Sequence, residues 1–455
     1  MSVKPSSDLS VREAYEADAS GLHLVPDLVA RPTSIEEVVE TMRWAGASRT
    51  PVTCAGAQTS TTGASVTGSG VLLSLRGLDQ ISAVDSELRT VRVGPGALVG
   101  EIKRAAAAAD LLFAPDPTSE EESTVGGAIA CNASGARTFK YGATRKHVTA
   151  IKVVMANGEL MEFRRSYLEK NTVGYAFAHE PIDWFIGSEG TLGIIVEAEL
   201  ALLPLPRKVV GLAIFFSEEQ EALEFVVAAR ESARVTPRCI EYFDDNALAI
   251  ARSSAHGSAL PVTAAAMVYV EEEVASDLDS TLAHWLEIIE SRGADFDPMV
   301  FEGDARLREA RQLRHSIPST MNERGSAHRR TGGRRVSTDW AVPYRRLGEA
   351  IAIARSLAAE SGIDQAVVYG HAGNGHPHQN FIARDPGELA TIEGVVERTL
   401  REVIRLGGTV AAEHGIGKIK RKWLPLQMNA IQIAMMTAVK KELDPLGLLA
   451  PGNIL

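Results

Sequence analysis

The stretch Pro117–Gly135 constrains this chain more than any other, because it crowds small residues and hydroxyls at a density that a plain core segment does not need. Gly126 and Gly127 remove side chains where a backbone must approach a ligand closely. Thr118, Ser119, Thr124, Asn132 and Ser134 add short groups that can reach phosphate or ring edges. Backbone amides in such a loop make an anion cradle when they point inward together. Val125, Ala128, Ile129 and Ala130 run through its centre, which argues against a solvated linker. A buried loop packed against something polar is expected, with a Gly/Ser-rich surface loop as the alternative.

At 455 residues the chain exceeds one ordinary core and suggests two or three domains. A net charge of -11 argues against nucleic acid as the main partner, and 5% aromatic residues are too few for base-stacking platforms. No apolar run is long enough to span a bilayer, so no transmembrane helix is expected. The N-terminal residues lack the apolar centre of a secretory leader. Cys54, Cys131 and Cys239 sit far apart without pair spacing. That fits reduced cytosolic thiols better than a disulfide frame or a thiolate metal site. A cytoplasmic placement follows as the expectation, peripheral to a membrane only through a partner.

Thr33 or Ser34 is placed to cap a helix over Ile35–Met42, with Glu36 and Glu37 in its first turn. Pro51–Ala64 is a second hydroxyl-rich loop, read equally as a strand connection or a ligand contact. Val71–Leu75, Thr90–Gly94 and Ile151–Met155 read as strands, and Asn157-Gly158 as a hairpin turn. The alanine-rich run 97–109 reads as a helix. Asp183–Val196 is a third glycine-punctuated piece entering a strand, in which Glu189 orients either a ribose or a backbone turn. Pro204-Leu-Pro206 is a stiff break. Beyond it, strand-like Val209–Phe216 and Ala264–Val270 alternate with helical Glu218–Arg230 and Asp277–Arg292, which suggests a smaller α+β domain. Residues 324–335 form the one dense basic run, with a solvated loop as the default reading and an anion-facing loop as the alternative. Helices are expected at 345–360, 387–406 and 426–443.

Chemistry concentrates near the C-terminus. Tyr369–Asn380 places His371, His376 and His378 within eight positions, with glycines between that let the chain fold rings onto one centre. His376 shares the parity of His378 and points the same way only if that end is a strand; Pro377 stands against it. Glu413 lies beside His414. Two imidazoles and one carboxylate suffice for a divalent metal, and hydrogen-bonded loop anchors are the competing reading. Arg314 is a lone arginine on a helix, to be taken as a surface residue unless something places it in a pocket.

Taken together, in order, these segments resemble the FAD-linked 2-hydroxy-acid dehydrogenases of the vanillyl-alcohol oxidase superfamily, with its p-cresol methylhydroxylase-type (PCMH-type) FAD-binding domain. Relatives there include D-lactate dehydrogenases, the glycolate oxidase flavoprotein subunit and D-2-hydroxyglutarate dehydrogenases. The resemblance runs from Tyr15-Glu-Ala-Asp18 to the final Pro-Gly-Asn-Ile-Leu. It implies an α+β chain: a two-subdomain FAD-binding domain over 1–207, a substrate cap over 208–410, and a segment 411–455 returning to the flavin. FAD, bound without a covalent link, would contact Gly56, Ala57, Gln58, Thr59, Ser60 and Gly63. It would also meet Pro117, Thr118, Ser119, Thr124, Gly126, Gly127, Asn132, Ser134, Gly135 and Tyr141, with its adenosine near Glu189, Gly193 and Ile195.

His371, His378 and Glu413 match the metal ligands, for zinc with manganese or iron as alternatives. His414 matches the catalytic histidine, Asn380 a substrate-side amide, and Arg314 the arginine that grips the substrate carboxylate. His376 falls where relatives carry a non-ligand. The implied activity is oxidation of a 2-hydroxy acid of the D-lactate, glycolate or D-2-hydroxyglutarate class to the 2-keto acid. Electrons would pass to a quinone, cytochrome, electron-transfer flavoprotein or iron–sulfur subunit. The alternatives are a flavoenzyme without net oxidation, like the alkyl-glycerone-phosphate synthases, a metal-dependent hydrolase, or a partner subunit that holds FAD without turnover. Two departures stand out: Gln58 replaces a glycine of the first loop, and Ala450 replaces an asparagine of the tail.

Overall fold

Ser34 starts the first long helix. Its Oγ accepts from Glu37 N at 3.3 Å, and Ile35–Ser48 buries Val38, Thr41, Met42 and Ala45 on one face. Thr33 does a different job, donating to the Glu37 carboxylate. A computed structural model describes residues 4–274, 277–363 and 366–455; Met1, Ser2 and Val3, part of the stretch expected to lack a leader, lie outside the described residues. The chain divides into two units.

The first unit holds the residues up to Gly135, Gly142–Leu205 and Glu413–Leu455. Its parallel three-stranded sheet runs Leu28–Ala30, Val71–Ser74, Val52–Ala55, with the middle strand buried along its whole length. A four-stranded antiparallel sheet runs Thr90–Val93, Ile194–Ala201, Val148–Val154, Leu160–Arg164. The Asn157-Gly158 turn closes its hairpin: Gly158 takes φ 78° and Asn157 Oδ1 accepts from Glu159 N at 2.9 Å. The C-terminal segment returns to this unit, where Val52 N donates to Leu448 O and Ala450 N to Val52 O, both at 2.8 Å.

Pro117–Gly135 is not loop throughout. Val125–Cys131 is a short helix capped by Thr124, whose Oγ1 accepts from Gly127 N, and Val125, Ala128 and Ile129 at helical spacing are buried. Gly126 is required by packing: a Cβ there would sit 2.5 Å from Pro95 Cβ.

The second unit holds Ala136–Tyr141 and Pro206–Ala412 around one antiparallel seven-stranded sheet. The order is Met299–Glu302, Val209–Phe216, Ala266–Glu273, Pro237–Phe243, Val367–His371, His376–Ala383, Arg334–Ser337. Helices cover both faces, so the central strands are buried almost continuously rather than at alternate residues. On one face Leu248, Leu313, Ile317 and Met321 from the helices Asp245–Arg252 and Gly303–Ser326 meet Phe215, Phe243, Tyr269 and Tyr369. Across the sheet Phe216 packs at a tilt on Phe225 of the helix Glu219–Glu231, which in turn meets Trp285.

The basic run 324–335 is not a loop either. The helix Gly303–Ser326 takes its start, a turn of 3-10 helix spans Arg329–Thr331, and Arg334–Ser337 forms the edge strand beside His376–Ala383. No helix among the described residues is long and apolar enough to cross a membrane.

Candidate active site

The strands Val367–His371 and His376–Ala383 are joined by a tight turn that pairs His371 with His376 and Tyr369 with His378. Partners across an antiparallel pair share a face, so all three imidazoles point the same way. Pro377 does not break the strand. The ring centroids lie 5.4 Å (His371–His376), 5.4 Å (His371–His378) and 4.6 Å (His376–His378) apart. One ring nitrogen from each lies within 4.8 Å of the others, and all three side chains are buried. His376, set aside by the resemblance, thus belongs to the cluster, with Nε2 3.1 Å from Asp339 Oδ1.

Glu241 is the residue that sequence reasoning missed. It lies in the fully buried strand Pro237–Phe243, where Oε1 sits 2.7 Å from His371 Nδ1 and Oε2 accepts from Arg314 Nε at 2.6 Å. Burial alone would raise this carboxyl; the neighbouring charges of His371 and Arg314 outweigh it and hold it down at about 2. The available signal was a carboxylate inside an apolar strand, which needs a partner. Glu241 fixes both the tautomer of His371 and the direction of Arg314, and so takes Arg314 out of the surface class.

Asn380 has no exposed surface. Its Oδ1 accepts from Arg335 Nε at 3.0 Å and Nη2 at 2.5 Å, and its Nδ2 reaches His378 O at 3.1 Å. Arg335 also donates to Asn322 Oδ1 and to the Tyr369 hydroxyl. Part of the basic run therefore braces the histidine strand through Asn380, on the same face as the imidazoles.

In the first unit the two glycine-rich loops meet: a Cβ on Gly56 would lie 2.1 Å from Thr124 Oγ1. Beside Gly56, Ala57 and Gln58 a cleft of about 420 Å³ opens at the carboxyl ends of the parallel strands, lined also by Tyr15, Arg31 and Arg76. Gln58 takes the left-handed conformation, φ 57°, and its Nε2 donates to Tyr15 O at 3.0 Å. The side chain that departs from the glycine pattern is thereby turned onto the lead-in. Gly63, φ 75°, and Asn132, φ 50°, are also left-handed, and Asn132 Oδ1 accepts from Arg145 N. Gly135 packs on Asp116 and Gly193 on Val153, each without room for a Cβ.

Of the two roles open to Glu189, the geometry serves the backbone: its buried carboxylate accepts from Ile416 N at 2.6 Å and Gly417 N at 2.7 Å. Burial raises its pKa, although both amides pull the other way. Glu413 and His414 start this C-terminal segment, and His414 O accepts from Thr62 Oγ1 at 3.5 Å. Tyr141 lies in the second unit, its hydroxyl bonded to Glu273.

This α+β architecture is that of p-cresol methylhydroxylase: the solved structure with substrate bound superposes with a TM-score of 0.76 over 99% of this chain and 93% of that one, at 15% identity. The chain belongs to the FAD-linked oxidases, with residues 205–454 matching the family of FAD linked oxidases, C-terminal domain, and residues 26–164 the FAD binding domain. It is 33% identical to D-2-hydroxyglutarate dehydrogenase of Xanthomonas citri pv. viticola, covering 94% of this chain and 89% of the relative. It is 30% identical to glycolate oxidase subunit GlcD of Bacillus subtilis, covering 97% and 92%. The protein is an FAD-dependent oxidoreductase of the 2-hydroxy acid dehydrogenase group.

Proposed function

We propose that this chain oxidises a 2-hydroxy acid to the 2-keto acid, with FAD in the first unit and a divalent ion on the histidine cluster of the second. The observation that carries the reading is Glu241, which ties His371 to Arg314 on the sheet face that bears all three imidazoles. Buried nitrogen donors with a carboxylate behind one of them suit zinc, with manganese or iron as alternatives. When bound, FAD supplies the hydride acceptor and the metal supplies a Lewis acid for the substrate hydroxyl.

The chain's own part is orientation and proton transfer. Arg314, aimed by Glu241, grips the substrate carboxylate through its planar guanidinium. His414, a side chain suited to proton transfer near neutral pH, takes the hydroxyl proton. His371 and His378, with Glu413 as the carboxylate, form the ligand set that the resemblance assigns, and His376 is a further candidate. The FAD would lie along the glycine-opened loops, where Gly56 leaves no side chain and Arg31 and Arg76 add positive charge to the adjoining cleft. That the Bacillus subtilis relative is a subunit of glycolate oxidase supports passage of electrons to a partner protein.

The deciding experiment is anaerobic addition of D-lactate, glycolate and D-2-hydroxyglutarate, one at a time, to the yellow protein. Bleaching by one of them, abolished by chelator and slowed in His414→Ala, is expected. A flavin band that no 2-hydroxy acid bleaches overturns the reading.

A further inference from the structure

The turn between His371 and His376 has no long side chain of its own to hold it, being Ala372-Gly373-Asn374-Gly375. It is held instead from outside. Arg230, near the end of the helix Glu219–Glu231, donates from Nη1 to Gly373 O at the middle of the turn. The guanidinium carbon lies over two rings, 4.0 Å from the centroid of Tyr344 and 5.3 Å from that of Phe139. Phe139 also closes the space over Gly373, where a Cβ would lie 2.8 Å from Phe139 Cδ2 and 3.1 Å from Ile240 Cβ. Ile240 is the neighbour of Glu241, which holds the His371 ring. On the opposite flank Val342 N donates to Gly375 O at 3.0 Å, and Gly375 takes φ 67°.

We propose that Arg230 is a positioning residue for the metal centre: it fixes the turn, and with it the distance between His371 and His376, without touching metal or substrate. The inference rests on the metal reading above. The physical case is that a guanidinium held over two rings has little freedom to reorient, so its hydrogen bond fixes Gly373 in place. A lysine keeps the charge and a donor but lacks the planar group that packs on those rings. Phe139 reaches the turn from Ala136–Tyr141, the short run directly after the Pro117–Gly135 stretch in the chain, and this run is anchored in the second unit by Arg137–Glu271 and Lys140–Glu273 pairs. Two residues remote in sequence from the histidines thus determine the shape of their turn.

The test uses the full-length, FAD-loaded chain stripped of metal and titrated with Co²⁺, followed by the cobalt absorption bands. Arg230→Met is expected to weaken Co²⁺ binding by about 10- to 100-fold, the range found when partners behind metal ligands are removed, and to alter the band shape. Arg230→Lys should recover part of the loss, and Phe139→Leu, which keeps the arginine, should give a smaller one. Unaltered Co²⁺ affinity and spectrum in Arg230→Met, with or without a lower Tm, overturns the positioning role. If Arg230→Met does not fold, Phe139→Leu and Tyr344→Leu decide: no change of affinity in either overturns the proposal. A native chain that takes up no Co²⁺ is a different failure, since it overturns the metal reading itself.

Discussion

Gly56 and Thr124 stand so close that a Cβ on the glycine would meet Thr124 Oγ1 at 2.1 Å. That oxygen also caps the helix Val125–Cys131. One atom thus packs against the first glycine-rich loop and caps the helix inside the second.

Gly56→Ala is therefore expected to displace Thr124, cost about 1 kcal/mol of capping and release FAD on purification. The flavin-to-protein absorbance ratio checks it. Adding Thr124→Ala removes the nearest clashing atom, so the double variant should retain more flavin than Gly56→Ala alone. Equal or lower retention would show that the loops meet in another way.

Glu189→Ala leaves the Ile416 and Gly417 amides without their acceptor in a buried setting. A loss of about 1–3 kcal/mol is expected, together with faster hydrogen exchange at these two amides. Exchange unchanged at both would mean that the C-terminal segment is held by other contacts, such as Asn453 Nδ2 to Ala64 O at 2.9 Å.

His376→Ala tests membership of the metal cluster. If His376 is a ligand, zinc affinity should fall by at least about 10-fold in competition with a chromophoric chelator, since even partners behind ligands cost that much. An unchanged affinity would leave His376 as a buried neighbour of the Asp339 carboxylate and not a ligand.

Glu271 reports on the anchoring of Ala136–Tyr141. Burial would raise its carboxyl, but Arg137 and Arg238 bring it from an ordinary 4.5 down to about 2. A depressed carboxyl stabilises the fold fully above its unfolded value and loses that contribution as pH falls through its folded one. Acid stability should thus decline between pH 4.5 and about 2, and Glu271→Gln should flatten that slope in urea midpoints. At neutral pH the variant is expected to lose about 3–5 kcal/mol, the cost of breaking a buried pair.

Local chemistry was readable in the chain alone: Ser34 before a periodic run, Asn157-Gly158 between strands, and three glycine-punctuated pieces, which only with the histidine and C-terminal motifs resemble a flavin-dependent family. These are short-range signals, set by hydrogen bonds and backbone freedom within a few residues. The helix Val125–Cys131 was hidden because its two glycines mimic a loop, while the cap and the packing on Pro95 that stabilise it are supplied at its start and by a distant residue. The basic run was read as loop because its charges concealed a strand whose inward-facing Arg335 finds Asn380 and Asn322.

What the sequence set out by itself is a list of candidates, His371, His378, Glu413, His414 and Arg314, whose roles the family resemblance assigns along with the loops expected to meet FAD. What only the tertiary structure decided is which groups answer them. Glu241 and Arg335 lie on strands of one sheet, Asp339 just beyond its edge strand and Arg230 on a helix, and only the fold brings them beside the histidine hairpin. A buried charge needs a partner, and that partner can come from any strand the fold places alongside, so its position along the chain carries no trace of the pairing.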